Sequence, residues 1–227
     1  MSSKLILCID CSVQTASVAL AKDKKLLGLK ICAEQKQHAG FIQPAVKELM
    51  DETGVSVKEL HAVAVTNGPG SYTGLRVGMA SAKGLCYALN IPLIVMGTLD
   101  VMAIAALKEI KEPSPFFICP MIDARRMEVF TTIYDEELNT VLPAQALILN
   151  EQSFAEQLNL QTVLFLGNGA EKWKTICHHA NARFPAVNWN AASMTDEAFA
   201  LYEQQQFASL AYAAPFYLKE FHSTAKN

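Results

Sequence analysis

The chain carries little charge and no surplus of positive charge. Only 18% of its 227 residues are charged, and 19 basic against 22 acidic side chains leave a formal charge of −3. Such a molecule does not attract a polyanion as a whole, so a broad nucleic-acid-binding surface is not expected. Long apolar runs are also missing: no stretch reaches the roughly 18 residues of a membrane-spanning helix. The first residues lack the basic, apolar and small-residue pattern of an export leader, and a strand-like run starts at Leu5. These absences predict a cytoplasmic protein with no membrane partner.

Metal and nucleophile patterns are equally scarce. Cys8, Cys11, Cys32, Cys86, Cys119 and Cys177 form no CxxC pair, and several lie inside apolar runs, where cysteine acts as a small hydrophobe. Disulfides are not expected in a reducing compartment. Cys11, in a predicted turn, is the one thiol worth testing for reactivity. His38, His61, His178, His179 and His222 include no pair spaced three or four apart. Adjacent residues such as His178 and His179 point about 100° apart on a helix, which suits surface positions better than a shared metal. There is no G-x-S-x-G elbow, and Ser71 has no histidine near it in sequence. No catalytic residue and no metal site are predicted.

What the chain does contain is an alternation of apolar strands and amphipathic helices. Strands are expected at Leu5–Asp10, Ala16–Ala21 and Leu26–Cys32. A helix over 41–53 follows, begun near Gly40 because Pro44 is tolerated only in a first turn. Strand 61–66, helix 74–89, strand 92–96 and helix 98–108 come next. Glu112-Pro113-Ser114-Pro115 marks a boundary, giving halves of residues 1–112 and 113–227. Beyond it, Phe116–Asp123 and Met127–Tyr134 read as a hairpin turning at Ala124-Arg125-Arg126. Helix 151–158, strand 162–166, helix 170–180 and helix 194–206 complete a mixed α/β chain. Its second half echoes the first in architecture, without a sequence repeat.

The most informative stretch is 66–97, where an apolar strand feeds a turn containing Gly68, Pro69, Gly70 and Gly74 and then a small-residue helix. Glycines allow close backbone approach, and a helix N-terminus adds partial positive charge, so the loop could cradle an anion or another chain. A P-loop lysine and the dinucleotide spacing are both absent. Asp10 ends the first strand and Ser12 follows it, a pair able to stabilise a turn through local hydrogen bonds. Gly167 and Gly169 flank Asn168 after another apolar run, as a strand-to-helix turn that needs glycine. Helix 74–89 is apolar or small almost all round, with charge only at Arg76 and Lys83. Gly74, Gly78 and Ala82 would admit another backbone, either a partner's or this chain's own sheet.

Asn67-Gly68-Pro69-Gly70-Ser71-Tyr72-Thr73-Gly74-Leu75-Arg76, with Ile6–Ser12 before it and Ile122–Arg126 after it, resembles the TsaB (YeaZ) family. That family is a paralogue of TsaD, the transferase of the t6A modification of tRNA. The similarity covers most of the first 130 residues and weakens beyond them. It implies an actin-like, sugar-kinase-like ATPase (ASKHA) fold, with two related α/β halves and mixed sheets. Thr98 and Met102 fall where TsaD-type enzymes carry an HxxxH pair, and neither suits a metal of that kind. The resemblance implies a non-catalytic subunit that scaffolds and activates a TsaD-type transferase acting at position 37 of ANN-decoding tRNAs. A TsaE-type ATPase would join through the complex, and the chain alone would form a homodimer. The partner surface would comprise Phe41, Pro44, Ala45, Arg76, Met79, Ala80, Lys83 and Tyr87. Asp10, Ser12, Gly68, Gly70, Gly167 and Gly169 are the candidates for nucleotide contact, because the implied fold places a carboxylate with a metal-bound water and a phosphate turn at 10–12 and an adenosine loop at 167–169. No cofactor of its own is expected, with ADP or ATP placed at the partner boundary. The competing reading is an autonomous ATP-dependent phosphoryl or carbamoyl transferase. Pro215–Lys219 is similar to the family's PVYL-type ending.

Overall fold

Leu5–Asp10 (β1) is apolar on both faces and buried along its whole length, which places it at the centre of a sheet covered twice over. In the computed structural model, which describes residues 3–34 and 37–219, it does occupy that position. Ala16–Lys22 (β2) and Lys25–Cys32 (β3) continue it as an antiparallel meander, turning at Asp23 and Lys24, both with positive φ. Ala62–Thr66 (β4) and Leu93–Met96 (β5) add parallel strands on the other side, giving the order β3-β2-β1-β4-β5.

The period of two along β1 divides the surroundings. Leu5, Leu7 and Ile9 face a core built with Ile42 and Leu49 of His38–Thr53 (α1) and Met79 and Ala82 of Tyr72–Leu89 (α2). Ile6 and Cys8 face Val101 of Thr98–Glu109 (α3) and a C-terminal layer containing Met194, Ala198 and Phe199.

The second half repeats the plan. Phe116–Asp123 (β6), Glu128–Tyr134 (β7) and Thr140–Ile148 (β8) form a meander. Ala155–Leu160 (α4), Thr162–Leu166 (β9), Ala170–Lys174 (α5) and Ala182–Arg183 (β10) follow, in the sheet order β10-β9-β6-β7-β8. β9 runs parallel to β6 and β10 parallel to β9, as β4 and β5 do in the first sheet. The architectural echo is therefore a repeated topology, and the fold is α/β with two related halves of mixed sheet. Helix α3 joins them: Leu99, Met102 and Ala106 pack with Phe116, Ile118, Leu164 and Leu166 in one core.

Several boundaries differ from the sequence reading. Helix α1 starts at His38, so Pro44 lies beyond the first turn. It is tolerated because it faces solvent, as does Gly40, whose carbonyl would otherwise have accepted the missing N–H. The helix expected from 151 starts at Ala155, because an Asn150 turn caps Gln152 and Ser153 first and Phe154 takes a left-handed φ. The helix expected to reach 180 ends at Lys174, where Trp173 accepts from both Ile176 and Cys177 in a closing turn. The last helix, Thr195–Glu203 (α6), is preceded by a 3-10 turn at Ala191–Met194. Strand β8 was not anticipated: Pro143 interrupts its pattern, which only an edge strand accommodates. The division at 112/113 separates the two sheets, but the chain from Ala191 onward returns to pack on the first. His222 lies outside the described residues.

Glycines on α2 serve opposite ends. A Cβ at Gly74 would overlap the Cys11 carbonyl, whereas one at Gly84 would meet nothing within 4 Å. Gly74→Ala should therefore destabilise the fold by about 1–3 kcal/mol through overpacking. Gly84→Ala should stabilise it by up to about 1 kcal/mol through helix propensity. Urea melts of the two variants would check this pair of opposite signs.

Candidate functional site

The end of β1 is a buried polar knot. Asp10 is 1% exposed, and its Oδ1 accepts from the Ser12 N–H at 3.0 Å, the Ser12 hydroxyl at 2.6 Å and the Thr66 hydroxyl at 2.8 Å. The carboxylate thus closes the 10–12 turn and ties β1 to β4. The glycine loop docks directly on this turn. Ser71 donates its N–H to the Ser12 carbonyl at 2.6 Å, and a Cβ on Gly70 would overlap that same carbonyl. On the other side, Gly68 has φ +125 and leaves room for the Phe216 carbonyl, while Phe216 N–H bonds Asn67 at 2.7 Å.

The second glycine loop is filled in the same manner. Gly167 takes φ +93, and a side chain there would overlap Met102 and the Met121 carbonyl. Gly169 N–H donates to Met121, and Asn168 Oδ1 accepts from the Asp123 N–H. Lys172 gathers the Asp123 carboxylate and the Arg126 and Glu128 carbonyls, which fixes the hairpin. Burial raises the Asp123 carboxyl, but Lys172 and the Arg125 N–H outweigh it and hold the group below its ordinary value. Arg125 and Arg126 are exposed turn residues with positive φ. Thr98 opens α3 and Met102 lies in the core against Gly167, so the two positions corresponding to HxxxH are packing positions. His178 and His179 lie exposed in the loop after α5.

Between the halves, Val13, Gln14 and Thr15 face Asn168, Val187, Asn188 and Trp189 around a cavity of about 170 Å³. No cationic side chain lines it. It is smaller than the roughly 300–1,000 Å³ of ordinary ligand pockets. None of the nucleotide candidates Asp10, Ser12, Gly68, Gly70, Gly167 and Gly169 lines this cavity. Each glycine approach is taken by the chain's own backbone or core, and the Asp10 carboxylate is engaged by hydroxyls.

The proposed partner residues divide sharply. Ala45 and Met79 are 2% and 3% exposed and belong to the chain's own core, with Phe41 packed against it. Gly74, Gly78 and Ala82 are buried as well, against Cys11 and the sheet, so this small-residue stripe serves internal packing. Pro44, Ala80 and Tyr87 are exposed, Tyr87 to 81%. The open ridge of α2 is Thr73, Ala80, Gly84, Tyr87 and Ala88. Arg76 and Lys83 flank that ridge and are held by the C-terminal segment. Arg76 Nε donates to the Tyr217 hydroxyl at 3.1 Å and its guanidinium covers the Tyr72 ring at 4.0 Å. Lys83 Nζ donates to the Ala211 and Ala213 carbonyls at 3.4 and 2.9 Å. Sequence reasoning singled out both cations without their partners, which lie more than a hundred residues away. The one signal available was the 215–219 ending.

Over most of its length the chain is similar to known proteins. The family model described as TsaD: tRNA N6-adenosine threonylcarbamoyltransferase matches residues 32–227. A Bacillus subtilis (strain 168) protein called tRNA threonylcarbamoyladenosine biosynthesis protein TsaB is 32% identical over 166 residues, 72% of this chain and 70% of that protein. The Escherichia coli (strain K12) protein of the same name is 32% identical over 137 residues, which span 60% of this chain and 57% of the relative. The solved structure of YeaZ from Pseudomonas aeruginosa superposes with a TM-score of 0.75 at 25% identity, covering 96% of this chain and 100% of that one.

Cys11 is 1% exposed, and burial followed by the nearby Asp10 charge pushes its thiol far above the ordinary value. A thiol held protonated is unreactive. In the native protein a thiol reagent at mildly alkaline pH should modify Cys32 and Cys177, which are half-buried, and leave Cys11 untouched until denaturant is added. Mass spectrometry of the labelled peptides would show it.

Proposed function

Because the chain belongs to the TsaB (YeaZ) family, we propose that it supports t6A formation on tRNA as a non-catalytic subunit that scaffolds and activates a TsaD-type transferase. The observation that carries this reading is a contrast on one helix. The glycine loop at the start of α2 is closed by the chain's own Ser12 and Phe216 backbone, while the outer ridge of the same helix stays open. Loops filled from within favour a structural role over phosphate chemistry. Ala80, Gly84 and Ala88 lie four apart and would let a partner helix approach closely, with Tyr87 as a large amphipathic anchor. Helix α1, with Pro44 on its exposed face, packs beside α2.

The contribution of such a subunit is conformational. It can favour the partner's active arrangement only by binding that state more tightly than the inactive one. Moving a two-state partner from mostly inactive to mostly active requires about 5.5 kcal/mol of differential affinity. A TsaE-type ATPase joins through the complex, and tRNA is met through the transferase. In the absence of the transferase the same ridge pairs two copies of this chain. ADP or ATP, in this reading, sits at the boundary with the partner rather than inside the closed loops.

Gly84→Leu adds bulk to the ridge at a position with open space around it and no internal contact to disturb. In a reconstituted reaction with a TsaD-type transferase, a TsaE-type ATPase and the enzyme supplying threonylcarbamoyl-adenylate, omission of this chain should abolish tRNA modification. Gly84→Leu should cut it by at least about tenfold, in line with the loss of an interface centre, without lowering the melting temperature. Full modification with the variant would remove the ridge from the mechanism. ATP turnover by the isolated chain would move the assignment to an autonomous transferase.

A further inference from the structure

The last described residues, 208–219, form a strap without regular secondary structure that runs beside α2. It begins on the edge of the first sheet, where Ala208 N–H bonds the Leu93 carbonyl at 2.8 Å. Its inner side chains Leu210 and Ala213 pack on the first core. The Ala211 and Ala213 carbonyls take Lys83, Phe216 bonds Asn67 over Gly68, and Tyr217 lies against Tyr72 with ring centroids 5.2 Å apart while accepting from Arg76. Two residues later Lys219 reaches Glu128 of β7 at 2.9 Å, so the strap ends on the second half.

Two properties of this strap are unexplained by its own packing. Its outward side chains are large and aromatic: Tyr212 is 87% exposed, Phe216 46% and Tyr217 39%. With Tyr87 at 81% on the neighbouring turn of α2, these make up four of the large apolar side chains left in solvent, gathered along one helix. Exposed aromatic clusters of this kind mark interaction surfaces. Second, Arg76 and Lys83 are satisfied only by neutral acceptors: a phenol, a ring face and two carbonyls. Among the described residues neither is paired with a carboxylate, unlike Lys30, Lys108, Lys172 and Lys219. A charge-assisted bond to a carboxylate is roughly twice as strong as one to a neutral acceptor. Among the described residues, then, no carboxylate answers the positive charge on this flank of α2.

We propose that the strap and α2 form one composite partner surface, in which Tyr212, Phe216 and Tyr217 widen the small-residue ridge and Arg76 and Lys83 meet carboxylates of the partner. The inference rests on the scaffold reading above and names the chemistry of its partner face: an acidic, helix-bearing surface of the TsaD-type subunit. Arg76 and Lys83 then have a double role. They position the strap in the free chain and complement the partner's charge in the complex.

The test uses the full chain and calorimetric titration with the TsaD-type subunit at rising salt. Tyr212→Ala removes a ring with no packing role and should weaken binding about tenfold, as truncation of an aromatic interface anchor does. Arg76→Gln should weaken binding most at low salt and flatten its salt dependence, because screening acts on the charge pair. Both variants should keep the native circular dichroism, with the melting temperature unchanged in Tyr212→Ala and slightly lowered in Arg76→Gln as its hold on Tyr217 is lost. Tyr217→Phe, which keeps the ring stack and loses the phenol, serves as a milder second probe. Affinities within about twofold for Tyr212→Ala and Phe216→Ala, alongside loss of binding in Gly84→Leu, would overturn the composite surface and leave α2 alone as the interface. Variants that disrupt self-association but not transferase binding would overturn it too, assigning the strap to a pair of identical chains. Failure of the unmodified chain to bind the transferase would remove the scaffold reading and this inference together.

Discussion

The contact on which the rest of this structure depends is the seating of the Gly70–Gly74 segment on the Cys11–Ser12 backbone. Two glycines remove the side chains that would hold the segments apart, and the Ser71 N–H closes the gap on the Ser12 carbonyl. Asp10 fixes the receiving turn from beneath through Ser12 and Thr66. The orientation of α2 against the first sheet follows from this docking, and with it the direction in which Tyr87 and Gly84 face. A buried carboxylate left without its hydroxyl donors would be costly, so the knot is specified as a unit rather than bond by bond.

The second constraint is α3, which belongs to both halves at once. Its apolar face meets the second sheet, Asp100 accepts from the Tyr134 hydroxyl, and Thr98 N–H takes the Gly68 carbonyl. Burial, reinforced by the Asp100 charge, pushes the Tyr134 phenol far up, which keeps it a donor. Against this shared core the exposed ion pairs weigh little. Lys108–Asp196 and the Lys30 pairs with Glu48 and Glu52 sit at the surface, where solvent screening leaves such bridges little net weight. The glycine loops on either side of the cleft between the halves are filled from within. The same glycines that suggest a phosphate cradle in sequence are used to bring protein backbone onto protein backbone.

Much of the architecture was legible because it is local. β1, β6 and β9 have the expected ends, since continuous apolar runs bounded by Asp10, Asp123 and Gly167 leave few alternatives. The short elements of the second half were not. Helices expected over 151–158 and 170–180 are cut short by the side-chain turn at Asn150 and by closure on Trp173, competitions that hydrophobic periodicity does not register. Strand β8 hid behind Pro143 because its edge position, which makes the proline harmless, is a property of the sheet.

The candidate site divides along the same line. The sequence by itself determined an α/β chain with a repeated strand-and-helix plan, its family, the glycine loop after β4 and the scarcity of charge on α2. These follow from residue type and spacing within one segment. Only the tertiary structure decided which faces were already taken. It assigned Gly74, Gly78, Ala45 and Met79 to internal packing, gave Arg76 and Lys83 to a strap more than 120 residues away, and left Ala80, Gly84 and Tyr87 open. A small or apolar residue states that something can approach it closely. Whether that something is the chain itself or another molecule depends on long-range packing, which no single segment encodes.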